Sequence, residues 1–189
     1  MLFRSSTQDY NEVGEMNPNV RSMISYNTDS KVIPTVRSNG VLLAEVTPRG
    51  GIISGTSSVF ALDGWNWEDA VYKQDIGIHM NWPRMYVYQG GGPEAEENQR
   101  NAMTRELQTI DQFFSQAKAY SLEHKPAETN VRFEAMRGLF DGSRKLFVHC
   151  GYVKEIESAV LFAKKYGLKM VLVGGTDAWR VTEIGRAHV

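Results

Sequence analysis

The sequence predicts an α/β fold built on parallel strands, and two observations carry that expectation. Residues 144–179, RKLFVHCGYVKEIESAVLFAKKYGLKMVLVGGTDAW, read as strand, helix, strand. Residues 38–51, SNG-VLLAEV-TPRGG, repeat the order found in KYG-LKMVLV-GGTDAW: a glycine that ends a helix, an apolar strand and a glycine-containing loop. Repeated βα units favour a parallel sheet, either doubly wound or closed as a barrel. Parallel neighbours need a crossover of a dozen or more residues, and nearly all such crossovers are right-handed.

In the first unit, Lys145–Cys150 is a short apolar run. Ile156, Ala159, Val160 and Ala163 recur at i, i+3, i+4 and i+7, which puts one apolar stripe on a helix over Val153–Tyr166. Gly167 stands where a left-handed helix cap is wanted, and Leu168–Val173 is the second strand. Upstream, Val20, Met23 and Ile24 anchor a short helix in a polar, Asn-rich stretch. Ser30 caps a helix through Lys31–Ser38, with Pro34 close enough to its first turn to be tolerated. Val41–Val46 is expected to be a buried strand, residues 50–66 a Gly/Ser-rich loop, Trp67–Tyr72 a short helix and residues 77–83 a short strand stopped by Pro83.

Gly90-Gly91-Gly92 hands over to Pro93, which suits a helix's first turn. The helix expected from about Glu94 to Glu123 places Met103, Leu107, Ile110, Phe114 and Ala117 on one face. A further helix covers Asn130–Phe140 and ends at Asp141-Gly142. No low-complexity linker divides the chain.

Composition excludes several classes. The 189 residues are 42% hydrophobic and 23% charged with net charge -1, so disorder is not expected and nothing electrostatic favours nucleic acid or an anionic membrane. One cysteine, Cys150, gives neither a disulfide framework nor a multi-cysteine metal site. No apolar run approaches the ~20 residues of a membrane span, and the first residues lack the apolar core of a secretory signal. A soluble chain of undetermined compartment is expected. The last six residues, Ile184–Val189, resemble a sequencing adapter translated in frame, as on assembled environmental reads. They are read as a non-native tail on a cut gene, so His188 is set aside.

Gly50–Ser57 nearly matches a phosphate-binding loop, but Thr56 stands where the lysine belongs. A substrate-facing turn is the preferred reading, with Gly55, Thr56 and Ser57 as candidate substrate contacts. Trp82, like Trp65, Trp67 and Trp179, falls near a strand end or loop and could line a pocket for a ring-bearing ligand, although packing alone also explains it. His149 is the strongest single candidate. It ends a βα strand, the edge where such sheets place ligands, and neutral imidazole is the commonest metal ligand. His79 is a weaker candidate, and His124 suits a helix terminus. Two histidines fall short of the three protein ligands a catalytic zinc usually has.

The segments NEVGEMNPNVRSMISYNTDSKVIPTVRSNGVLLAEVTPRGGIISGTSSV, GIHMNWP and KLFVHCGYVKEIESAVLFAKKYGLKMVLVGGTDAW together resemble the amidohydrolase superfamily, in particular its imidazolonepropionase-like branch. The resemblance implies a metal-dependent hydrolase of non-peptide C–N bonds in cyclic amides or related small molecules. It implies a (β/α)8 TIM-type barrel, of which residues 1–183 would be an internal part without the terminal β-sandwich, since a complete barrel needs about 250 residues. His149 matches the fifth-strand metal ligand, His79 the fourth-strand ligand position, and Gly174 the place of a sixth-strand histidine. That departure leaves open a one-metal enzyme with zinc as first candidate, or a non-catalytic small-molecule binder on the same barrel. The piece by itself is expected to be inactive and prone to self-association, with a homo-oligomer open for the full-length protein. A doubly wound nucleotide binder is a distant third reading.

Overall fold

In the computed structural model, residues 13–123, 125–126 and 128–181 are described. His124, with its expected helix-end role, and the 184–189 tail lie outside them. Helix α1 (Val32–Ser38) precedes strands β1 (Leu43–Val46) and β2 (Ile53–Ala61). A single turn, α2 (Trp67–Ala70), leads into β3 (Val71–Asn81). Helices α3 (Pro93–Leu122) and α4 (Val131–Phe140) connect to β4 (Lys145–Cys150), and α5 (Val153–Tyr166) connects to β5 (Met170–Gly174). The five strands form one curled sheet in sequence order, mixed in direction: β1-β2-β3 are antiparallel, β3-β4-β5 parallel.

The later half follows the periodicity closely. Helix α5 spans the expected residues, with Ile156, Ala159, Val160 and Ala163 buried and Gly167 at φ 72° closing it. Gly167 N–H and Leu168 N–H take up the Lys164 and Ala163 carbonyls that the helix end leaves over. At the start of α5, the Glu155 carboxylate accepts from the Gly151 and Tyr152 N–H groups, which explains why a buried acid is tolerated there. Helix α3 begins at Pro93 after Gly92 and buries Ile110, Phe114 and Ala117.

The first half corrects the expectation of parallel order. Residues 47–52 are too few for a crossover, so β2 must turn back on β1 as an antiparallel partner. Strand β1 is consequently an edge strand, and Val41, Leu42 and Leu43 are exposed rather than buried. The Gly/Ser-rich stretch expected as a loop is the interior strand β2. Its edge is filled first by the 16–21 segment, through Thr56 N–H to the Val20 carbonyl and Asn17 N–H to the Ile53 carbonyl, then by β1. Small hydroxyl side chains fit that crowded place: Ser54, Thr56, Ser57 and Ser58 are all buried. The short helix ends at Ala70, so Val71 and Tyr72 already belong to β3.

Side chains of a strand alternate between two faces. Ile78, Met80, Leu146 and Val148 point to one face and meet Ile110, Phe114, Met136, Leu139, Ile156 and Ala159 of α3, α4 and α5. On the same side, Phe60 packs with Tyr26, Ile33 and Leu62 beneath α1. Helices α1, α3, α4 and α5 therefore lie on one face of the sheet. Through the strand register, the other face carries Glu45 of β1, Ser57 of β2, Gly77 and His79 of β3, Phe147 and His149 of β4, and Val171 and Val173 of β5. Phe114 meets Phe162 edge-on and Tyr166 at a tilt from the centre of the helix-covered side. Phe114→Ala should destabilise the chain by about 3–5 kcal/mol in a denaturant melt, whereas truncation of exposed Leu161 should change it little.

Candidate functional site

The parallel strands β3 and β4 pair Asn81 with His149 and His79 with Phe147, so the two histidines stand diagonally on the uncovered face near the carboxyl ends of their strands. His79 Nδ1 lies 2.9 Å from His149 Nε2, and His79 Nε2 lies 3.0 Å from Glu45 Oε1. Both ring nitrogens of His79 are thus engaged, one by each neighbour. The His79 ring is buried and stacks flat on Phe147, with centroids 4.6 Å apart and planes 1° apart. Gly77 permits that stacking. A Cβ there would come within 2.4 Å of the Phe147 ring and 2.5 Å of the Lys145 carbonyl oxygen.

Glu45 was not singled out in the sequence. It is the one charge in the apolar run VLLAEV, which was expected to be a buried strand. Its carboxylate is held below the usual range first by the hydrogen bond from His79. Burial opposes that effect, and the Ser57 hydroxyl and the nearby imidazoles, in so far as they are protonated, add to it. His149 is lowered from its ordinary 6.5, chiefly because burial disfavours the imidazolium; repulsion from any protonated form of the adjacent imidazole would act the same way, and Glu45 opposes it. The neutral ring is the form that can offer a lone pair.

The four candidate substrate residues divide by face. Gly55 pairs with His79, and buried Ser57 sits within hydrogen-bonding reach of Glu45 while also donating to the Gly77 carbonyl at 3.3 Å. Thr56 turns the other way and donates to the Pro18 carbonyl at 3.0 Å. Trp82 is buried with its ring edge-on to Phe162, and only its backbone N–H reaches the site, donating to the His149 carbonyl at 3.0 Å. Gly174 pairs with Cys150, on the helix-covered side, so the β5 residue level with His149 on the open face is Val173. Among the described residues no group of three or more His, Cys, Asp or Glu could hold a metal. Cys150 is no reserve ligand, since burial pushes its thiol up to about 11.

No family model and no curated protein matches the chain. A solved structure of an amidohydrolase from Thermotoga maritima MSB8 is similar, with a TM-score of 0.72 and 18% sequence identity over 93% of this chain and 48% of that one. This likeness shows a shared fold: a mixed α/β chain with a curled half-barrel sheet, spanning about half the length of the amidohydrolase it resembles. No helix among the described residues is long and apolar enough to cross a membrane.

Two outcomes follow from the geometry. Gly77→Ala should cost on the order of 1–3 kcal/mol, because the Phe147 ring must move, and should shift the His79 and Phe147 ring resonances in NMR spectra. Protonation sets the second. With His149 depressed in the folded state, the unfolded chain takes up its proton first as pH falls below 6.5, so this contribution to stability is present above 6.5 and lost below it. In chelator-treated buffer, the melting temperature of the wild type should therefore fall between pH 7 and pH 5 more than that of His149→Asn.

Proposed function

We propose that this chain is part of the barrel of a metal-dependent amidohydrolase, with His79 and His149 among the ligands of a divalent ion. The observation behind this reading is the approach of His79 Nδ1 and His149 Nε2 to 2.9 Å on the uncovered face, near the strand ends. The residues fit an ion in part. Two ring nitrogens converge, burial favours neutral His149, and a carboxylate engages the far nitrogen of His79, as carboxylates commonly do behind metal-bound histidines. A bound ion would supply Lewis acidity and a water acidified to near-neutral pKa.

The chain's own residues do the rest of the holding. Phe147 fixes the plane of His79 by stacking, and the open face between Ser57 and Val173 is where a small substrate would lie. A barrel of the (β/α)8 kind, of which this chain is an internal part, accounts for the one-sided helices. The substrate class proposed is a cyclic amide or related compound with a non-peptide C–N bond, as in the imidazolonepropionase-like branch, and zinc is the ion proposed. Two ligands do not complete a catalytic centre, so the 189 residues by themselves are expected to be inactive.

A second reading is favoured by Val173, which stands level with His149 and cannot ligate. On it, the protein keeps the barrel and binds a small molecule without catalysis. Cobalt(II) titration of the purified chain, followed by visible absorption, tests the first reading. Binding should weaken at least tenfold in both His79→Ala and His149→Ala, while absence of any histidine-dependent cobalt spectrum would leave the second. For the longer parent protein, metal-dependent hydrolysis of a cyclic amide would support the enzyme.

A further inference from the structure

The two hydrogen bonds of His79 determine which of its nitrogens holds the proton. A carboxylate is ionised at neutral pH and can only accept, so the Nε2 atom 3.0 Å from Glu45 Oε1 must be the donor. In a neutral ring Nδ1 is then a lone pair, and the contact of 2.9 Å to His149 Nε2 is satisfied only if His149 donates. Both hydrogen bonds then run in one direction, from His149 through His79 to Glu45.

We propose that Glu45 is a positioning residue: it locks neutral His79 in the Nε2–H tautomer and so presents the Nδ1 lone pair toward His149. The local structure suits that task. The Glu45 side chain is about one-third exposed (34%) and that of His79 4%, so the carboxylate stays hydrated enough to remain charged while the ring is held dry. Phe147 stops the ring from turning about its plane. Glu45 also comes from a different part of the sheet, two strands away from β3 on the edge strand, which makes β1 a functional element. Ion binding would demand one change: His149 must surrender its Nε2 proton, while His79 is already in ligand form.

The metal consequence rests on the proposed function; the tautomer does not. Long-range 1H–15N correlation at pH 8, on the metal-free full chain, reads the tautomers of His79 and His149 directly. Wild-type His79 should show protonated Nε2 and bare Nδ1. Glu45→Ala should convert it to a mixture, and Glu45→Gln, whose amide oxygen can still accept, should restore most of the Nε2–H form. In a parallel zinc titration, Glu45→Ala should weaken binding by ~10- to 100-fold, the usual loss for a partner behind a metal-bound histidine, and Glu45→Gln by much less. A wild-type His79 protonated at Nδ1, or at both nitrogens, overturns the proposal. So does a Glu45→Ala tautomer unchanged from wild type. If the tautomer responds as expected but wild type binds no zinc, Glu45 keeps its positioning role and the metal reading falls. Should Glu45→Ala fail to fold, the wild-type and Glu45→Gln spectra still decide the assignment.

Discussion

The alternation of side chains across one curled sheet is the constraint on which the rest of this structure depends. Every apolar position that can be sealed by α1, α3, α4 or α5 points to the helix side, where Ile78, Met80, Leu146 and Val148 disappear into the core. The residues between them are thereby committed to the opposite face. His79 is flanked by Ile78 and Met80 in sequence, and His149 by Val148 and Cys150. The burial that stabilises the fold is thus what aims both imidazoles away from the helices. A shift of one residue in the β3–β4 register would exchange the faces and dismantle core and site together.

Within that frame, the site gains order from close contacts around a single ring. His79 has no unengaged nitrogen, and its face is covered by Phe147. His149 is more exposed, with a burial that favours the neutral form. The two histidines therefore differ in readiness: one is held, the other can change its proton. Packing of this kind reduces the conformational entropy that would otherwise be lost when a ligand binds.

The sequence was most legible where a period ran long enough to be counted. Helix α5, its Gly167 cap and the α3 stripe through Ile110, Phe114 and Ala117 were all visible, because burial there obeys the 3.6-residue repeat. Strand β2 was hidden by its own composition. Ser54, Gly55, Thr56, Ser57 and Ser58 look like loop residues, yet they are small because the 16–21 segment, Pro48 and β3 crowd that strand. The antiparallel start was legible in principle, since residues 47–52 cannot cross over, but the similarity of two apolar strands suggested a repeat. His149 and His79 could be picked out singly, though not their contact, which joins positions 70 apart. Glu45 could have been found from the oddity of one acid inside VLLAEV, but its partner is fixed only by the sheet.

The central claim, that His79 and His149 are a metal-holding pair, is tested most directly by a crystal structure of the zinc-loaded protein with anomalous data at the zinc edge. The account predicts a peak bonded to His79 Nδ1 and His149 Nε2 at ~2.0–2.1 Å, with Glu45 still on His79 Nε2. A zinc peak elsewhere, with the two histidines still hydrogen-bonded to each other, would contradict it.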